Sequence, residues 1–482
     1  MIASSLYILC LLPFLATSLI TKYDPIQINS ASLIYQKYYM FDKLSAPVSN
    51  SIGNGQSYLE MSFNITKTVP DVYSRGIVEA FFATNDFFEK IGYLDDQKKI
   101  ACCDENGLNK YCENLNHLII PKNMEQSYVK VEKVVTGEND QITLHYDIPV
   151  EGRYYMILAM CDPATANFNI TGETIVMNPY GHIPARLYGI LPFVRILLAA
   201  YSILAVIWMI RCYRYSKELM SVHFVISIVL VVFLIDTFVK YLNITSYNIK
   251  GFYVTSVTIV SLFISAATRA IARCLTLMIA MGLGVSRASI DGSTWKILSM
   301  GLIYFGFSLW DSISNTFSSS SDVNMWRVIP ASLVDSVIYF WILQSLLDTI
   351  QDLEDKNQTS KLAVFLSLRN MIIIVVIVST LYNIAFSYLI VHQALEKYWR
   401  WQWFFNDGVW SVFYFVIIGS IMYLWAPNER SLAYAYHVQV ATEEHTEEVM
   451  SMQDGELQPS NPNEHVTVET VDTTDTLKPM KM

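Results

Sequence analysis

Six ionisable residues interrupt long apolar runs in the second half of this 482-residue sequence: Asp236, Lys240, Arg269, Arg273, Asp311 and Asp335. A charge within a bilayer costs roughly 3 kcal/mol on insertion scales, so such residues face a bundle interior or a watery cavity. Asp236 and Lys240 are four residues apart, as are Arg269 and Arg273, so each pair shares one helix face. Lys240 is close enough to a helix end to snorkel. Two arginines on one face near mid-membrane need carboxylates or a phosphate head group as partners. The chemistry is charge recognition. Asp236, Arg269, Arg273, Asp311 and Asp335 either line a cavity open to solvent or lipid, or pair internally and fix helix register. No catalytic residues stand out, because HExxH, GxSxG and GxxxxGK[ST] are all missing. Histidines such as His223 and His392 are single, and no cofactor or metal motif is present. The lack of a basic run argues against nucleic acid as a partner.

The elements that must hold these charges are seven apolar stretches, at 192–210, 222–242, 252–282, 297–317, 328–350, 371–391 and 404–425. About 20 apolar helical residues cross a bilayer core roughly 30 Å thick. Backbone amides in hydrocarbon must be satisfied within the chain, so each stretch is expected as an α-helix. Six lie near the minimal crossing length and the third is longer. Charged residues make up 16% of the chain and hydrophobic ones 53%, as membrane burial requires. The fold class expected is a multi-pass α-helical membrane protein with seven transmembrane helices, whose lipid contacts are its first partners.

Ahead of the spans, residues 1–18 read as a secretory signal peptide, with an apolar run from Leu6 to Ala16 and small residues at Ala16 and Ser18. From 19 to 177 the pattern alternates with period two. Tyr58–Ile65, Tyr128–Val135 and Gln141–Ile148 are the clearest cases, and 76–82, 153–160 and 172–177 add three more. Turn residues at Asn106-Gly107 and Glu151-Gly152 separate them. About 150 residues suffice for one core, so a luminal or extracellular antiparallel β-sandwich is expected. Cys102, Cys103, Cys112 and Cys161 all fall in this segment, and an even number in an exported domain reads as two disulfides with three possible pairings. Their irregular spacing, with no paired CxxC, speaks against zinc. Asn64 and Asn169 are N-glycosylation sequons in the same segment, while Asn243 lies at a span mouth and Asn357 on the opposite side.

With the N-terminus outside, the inner loops and the residue following the last span hold Arg211, Arg214, Lys217, Arg287, Lys296, Lys356, Lys361, Arg369 and Arg430. The outer loops hold only Lys250, Arg327, Lys397 and Arg400. Positive charge favours the cytosolic side, which predicts N-out and C-in. Residues 178–427 therefore form the bundle. Residues 428–482, with 11 acidic against 3 basic residues, form an acidic disordered cytosolic tail. Tyr398-Trp-Arg-Trp-Gln-Trp403 reads as an aromatic belt anchoring the last span, with ligand stacking as the rival.

Asn178-Pro-Tyr-Gly-His-Ile-Pro-Ala-Arg-Leu-Tyr-Gly-Ile-Leu-Pro-Phe193 closely resembles the segment that opens the membrane domain in the lung seven-transmembrane receptor family, also called Golgi-dynamics-domain seven-transmembrane proteins. Asp407-Gly-Val-Trp410 and Leu424-Trp-Ala-Pro427 resemble its closing signature, and Ala270–Leu277 running into Gly282–Val285 resembles its third span. The transmembrane protein 87 branch is the most similar. Arg186 stands where an acidic residue is common in that family, Arg195 sits just inside the first span, and the 392–403 loop has no cysteine to tie the β domain to the helices. The resemblance implies a luminal β-sandwich on a seven-helix bundle, residence in Golgi or endosomal membranes, and a role in membrane-protein traffic with luminal cargo as partner. The rivals are a cation channel or lipid-binding protein using the charged interior, and a surface receptor. No Glu/Asp-Arg-Tyr ends the third span and no Asn-Pro-x-x-Tyr or central Lys lies in the seventh, so rhodopsin-type coupling has no support. Oligomeric state has no signature in the sequence.

Overall fold

In the computed structural model of the protein, the described residues are 20–27, 32–42, 55–67, 75–95, 98–105, 107–121, 125–135, 140–283, 293–317, 325–392 and 394–427. The expected signal peptide, the tail from 428, the Asn106 turn, Arg287 and Arg430 lie outside them.

Two antiparallel four-stranded sheets face each other. In spatial order the first is β1 (Ile20–Gln27), β10 (Phe168–Met177), β3 (Tyr58–Lys67) and β8 (Asp140–Asp147). The second is β2 (Ser32–Met40), β9 (Gly152–Met160), β4 (Gly76–Thr84) and β7 (Tyr128–Val135). Strand side chains alternate between faces, so Leu59, Met61, Phe63 and Ile65 of β3 all point inward against Val78, Ala80 and Phe82 of β4. On β4 and β9 the alternation fails because both faces are covered. Phe81, Ala83, Tyr155, Ile157 and Ala159 turn outward and pack under Phe87, Ile91 and Leu118 of the 85–127 excursion, which also holds the small hairpin β5 (Tyr93–Asp95) and β6 (Lys98–Ile100). Cys102–Cys161 ties that excursion to the end of β9, and Cys103–Cys112 closes a short loop within it.

The alternating pattern missed β1 and β2. β1 carries Pro25 at a register shift between Tyr23 and Ile26, which a sheet tolerates only on an edge strand such as this one. The pairing of β3 with β10 sets Asn64 opposite Thr171 and Thr66 opposite Asn169. Both sequon asparagines therefore point out of the first sheet as diagonal neighbours.

Seven helices follow: α1 (Ile190–Arg214), α2 (Ser221–Lys250), α3 (Thr255–Ala280), α4 (Thr294–Phe317), α5 (Met325–Asp355), α6 (Thr359–Val391) and α7 (Val409–Leu424), the last preceded by a π-turn at Phe404–Gly408. All seven are long and apolar enough to cross a membrane. The expected lengths need correction. The third has 26 residues, whereas α2, α5 and α6 run to 30, 31 and 33. Their hydrogen bonding continues past the apolar stretch through polar turns such as 241–250, where hydropathy gives no signal. Consecutive helices pack side by side, and α7 returns against α1 and α6. The apolar core, with Leu277, Ile342, Leu346, Phe365 and Ile421, fills the half of the bundle away from the β domain.

The sandwich is seated on the bundle at two patches. At the first, the Asn248 side chain accepts from the Ile183 amide (3.2 Å) and donates to the Tyr180 carbonyl (3.0 Å), while the Ile20 amide donates to the Gly251 carbonyl (3.1 Å). Gly251 ends α2 at φ +75°, and a Cβ there would lie 2.6 Å from Ile20, so only glycine fits this corner. At the second, Glu396 accepts from Lys37 (2.9 Å) and Arg153 (2.5 Å), Arg400 pairs with Glu151, and Trp399 packs on Tyr39 and Phe41. An ionic and aromatic tie thus takes the place of the missing cysteine. Arg186 stacks on Tyr39 and Arg195 on Tyr241.

The expected aromatic belt divides in two. Trp399 and Trp403 turn onto the protein, and Tyr398 and Trp401 face outward, because the short 3-10 turn at 399–401 splays successive rings.

The hydrogen bond from Lys37 is the largest influence on the Glu396 carboxyl and outweighs the opposing effect of burial. With the lesser help of the Lys37 and Arg153 charges and the Arg153 hydrogen bond, it holds the group below its ordinary value near 4.5. A carboxyl lowered by folding contributes stability above its unfolded value, and that contribution is lost as pH falls through the folded one. The tie should therefore hold unchanged from pH 7 to about 5 and loosen only below 4.5. Glu396→Gln should mimic the loosened state at neutral pH and raise amide hydrogen exchange across 394–403 several-fold without altering the β core. Exchange that already rises between pH 7 and 5 would contradict this assignment.

Candidate functional site

A cavity of about 540 Å³ occupies the half of the bundle beneath the β domain. It forms there because α3 presents small polar residues, Ser261, Ser265 and Thr268, where the other half of the bundle packs Leu and Ile. The residues singled out by sequence divide between the cavity and its floor. Asp236, Arg269 and Asp311 stand on the wall, joined by Lys240 and Asp407. Arg273 and Asp335 do not line it.

Each wall charge has a different setting. Asp236 is buried and accepts from Lys240 (2.7 Å) and from Ser265 Oγ (2.5 Å), so Lys240 pairs rather than snorkels. Arg269 donates to Ser308 (2.9 Å) and Ser312 (2.8 Å), hydroxyls that bind its protons without neutralising its charge. Among the described residues, no carboxylate lies within ion-pair distance of Arg269, and neither Asp311 nor Asp407 has a hydrogen-bond or ion-pair partner for its carboxylate. Asp407 faces the charges of Lys240 and Arg269 across the cavity.

One turn beyond Arg269, Arg273 turns away and makes a bidentate pair with Asp335, Nη2 to Oδ2 being 2.9 Å. Its guanidinium lies 4.2 Å from the centre of the Tyr304 ring and donates to Tyr414 Oη at 3.4 Å. Tyr304 and Tyr414 are both wall residues, so this pair lies directly behind them as a floor. Register-fixing pairs and a charged cavity therefore coexist. Asp407 was noticed in the sequence only as part of a signature. An acidic residue three positions into the expected span 404–425 was the available signal, and in the structure it stands on the π-turn that widens the helix start.

Among the described residues, the wall carries no histidine or cysteine. What it can do is bind a small group of mixed charge. In the β domain, Glu79, His117 and Glu132 offer ligand atoms within 4.8 Å of one another. Lys130 Nζ already sits among them, 2.9 Å from Glu132 and in contact with Glu79, and supplies the positive charge there.

Residues 189–432, half of the chain, match the family described as GOST, seven transmembrane domain. The chain belongs to the GOST seven-transmembrane family. Among GOST-type relatives it is 23% identical over 342 residues to Transmembrane protein 87A of Xenopus tropicalis, covering 69% of this chain and 63% of that one. It is 24% identical over 281 residues to Transmembrane protein 87A of Homo sapiens, covering 58% and 50%. Membrane protein PTM1 of Saccharomyces cerevisiae (strain YJM789) is 24% identical over 424 residues, covering 83% and 80%. The chain thus spans about half to three fifths of the length of the Transmembrane protein 87 relatives it matches. These relatives agree with the transmembrane protein 87 branch of the GOST family.

Proposed function

We propose that this protein works in membrane-protein traffic at Golgi and endosomal membranes. Its β domain lies in the lumen and binds a partner or cargo, and its bundle cavity takes a zwitterionic head group from the bilayer. The observation that carries the cavity reading is the pairing of opposites: among the described residues, Arg269 is met by hydroxyls alone, with Asp311 and Asp407 unpartnered on the same wall. A zwitterion places a phosphate on the arginine and an ammonium beside the carboxylates, which satisfies both signs at once. The traffic reading rests on the family likeness, and the luminal orientation on the excess of Lys and Arg in the expected inner loops.

The test is a pair of measurements on the full-length protein. Lipids retained after purification should include a zwitterionic species lost on Arg269→Gln or Asp407→Asn, and the same variants should slow return of a retrograde cargo in cells. Wild-type lipid retention and cargo return in both folded variants would rule the reading out. Steady-state plasma-membrane location with fully mature glycans at Asn64 and Asn169 would separately undercut the traffic role.

A second reading is cation conduction, favoured because Asp236, Asp311 and Asp407 outnumber Lys240 and Arg269 on the wall. It requires currents from purified protein in liposomes that vanish in Asp311→Asn or Asp407→Asn.

A further inference from the structure

The outward-turned rings of the 398–403 run enclose a second, separate pocket. Tyr398, Trp401, Phe405 and Leu389 surround about 340 Å³, and none of the four lines the bundle cavity. Among the described residues, three aromatic rings and one aliphatic side chain make a wall without a charged group. The rings are held in place by backbone. The Tyr398 amide donates to the Ala394 carbonyl (3.2 Å), the Trp401 amide donates to the Tyr398 carbonyl (2.9 Å), and the Tyr382 hydroxyl of α6 donates to the Phe405 carbonyl. Yet Tyr398 and Trp401 remain 52% and 58% exposed, while Trp403 in the same run is buried to 9%.

Depth narrows the ligand. Leu389 lies two residues before the end of α6 and of the apolar stretch 371–391, so the pocket straddles the level where hydrocarbon gives way to head groups. We infer that this pocket recognises the phosphocholine head group of a lipid in the surrounding leaflet. The trimethylammonium sits among Tyr398, Trp401 and Phe405, and the phosphate lies beside Lys397, whose exposed ammonium is 5.9 Å from the centre of the Tyr398 ring. A quaternary ammonium has no N–H to satisfy and is drawn to the negative faces of aromatic rings, Trp above all. The ammonium of an ethanolamine lipid brings three donors, of which the Tyr398 hydroxyl can accept one, and the desolvation of the others goes uncompensated. Choline is therefore selected over ethanolamine by wall chemistry alone. An interfacial aromatic anchor with no ligand would show no such preference.

The test uses full-length protein equilibrated with vesicles of equal phosphatidylcholine and phosphatidylethanolamine bearing identical acyl chains, with retained lipids counted by native mass spectrometry. Wild type should retain choline lipid over ethanolamine lipid by roughly tenfold, the scale of a desolvated cation–π contact. Trp401→Leu, which keeps the pocket apolar but removes the ring face, should bring the ratio close to one, and Trp401→Phe should keep most of it. Equal retention by wild type, or full selectivity in Trp401→Leu, overturns the proposal. Should Trp401→Leu fail to fold, Tyr398→Leu gives the same readout with the same two outcomes. Selectivity that follows Arg269→Gln instead of the ring variants would assign the choline lipid to the bundle cavity and likewise overturn it.

Discussion

Arg273→Gln is expected to reduce folded yield sharply and to lower stability by about 3–5 kcal/mol, the usual cost of removing one partner from a buried ion pair. Arg273 is 8% exposed, and glutamine would leave the Asp335 carboxylate without its bidentate donor near the middle of the bilayer. The arginine also fills the space between Tyr304 and Tyr339, so packing is lost along with charge. A companion double variant, Arg273→Leu with Asp335→Leu, should recover much of the loss, since apolar residues of similar size often replace a buried pair at little cost. Thermal unfolding in detergent and recovery by size-exclusion chromatography measure both. Single and double variants equally impaired would mean that the pair does something other than satisfy itself. Wild-type behaviour of Arg273→Gln would mean that cavity water reaches and solvates Asp335.

The second large effect lies in the β domain. Cys161→Ser opens a bridge between residues 59 apart, and the loop-closure account puts its contribution at about 4 kcal/mol. Cys112→Ser opens a bridge between residues only 9 apart, for which the same account gives about 3 kcal/mol. The two should also differ in reach. Without Cys102–Cys161 the excursion over Phe81 and Ile157 is no longer tied to β9, so the covered outer face of the second sheet opens. Without Cys103–Cys112 the damage stays within the excursion. Urea unfolding followed by domain-specific hydrogen exchange separates these outcomes. Equal losses with equal spread would show that neither bridge acts through the loop it closes.

The seven helices were legible because nothing but a bilayer explains such runs, and their centres were placed correctly by hydropathy. Their ends were not, because residues such as 241–250 hold their place through contact with the junction that follows β10, Asn248 with Tyr180 and Ile183 above all, and not through apolar content. β3, β7 and β8 announced themselves by alternation, whereas β2, whose SLIYQKYYM sequence alternates poorly, did not. In the site, the four-residue spacing of Arg269 and Arg273 put both on one face, but spacing cannot say that a single further turn carries Arg273 behind Tyr304 and Tyr414. Asp407 escaped notice as a charge because it stands at a span boundary. The inward and outward division of Trp399, Trp401 and Trp403 depends on the 3-10 turn, which has no periodic signature.

The order of strands in the sandwich also sets a schedule for its making. Among the described residues β1 pairs with β10 alone and β2 with β9 alone, so both early strands of the sandwich must wait for partners more than a hundred residues away. The domain cannot close until Phe168–Met177 has emerged, and α1 begins at Ile190, scarcely a dozen residues later. Sandwich closure and insertion of the first helix therefore fall in the same moment of synthesis. On the luminal orientation proposed above, Asn169, which lies on that last strand, would have a much shorter interval than Asn64 for glycosylation before its backbone is locked into the sheet.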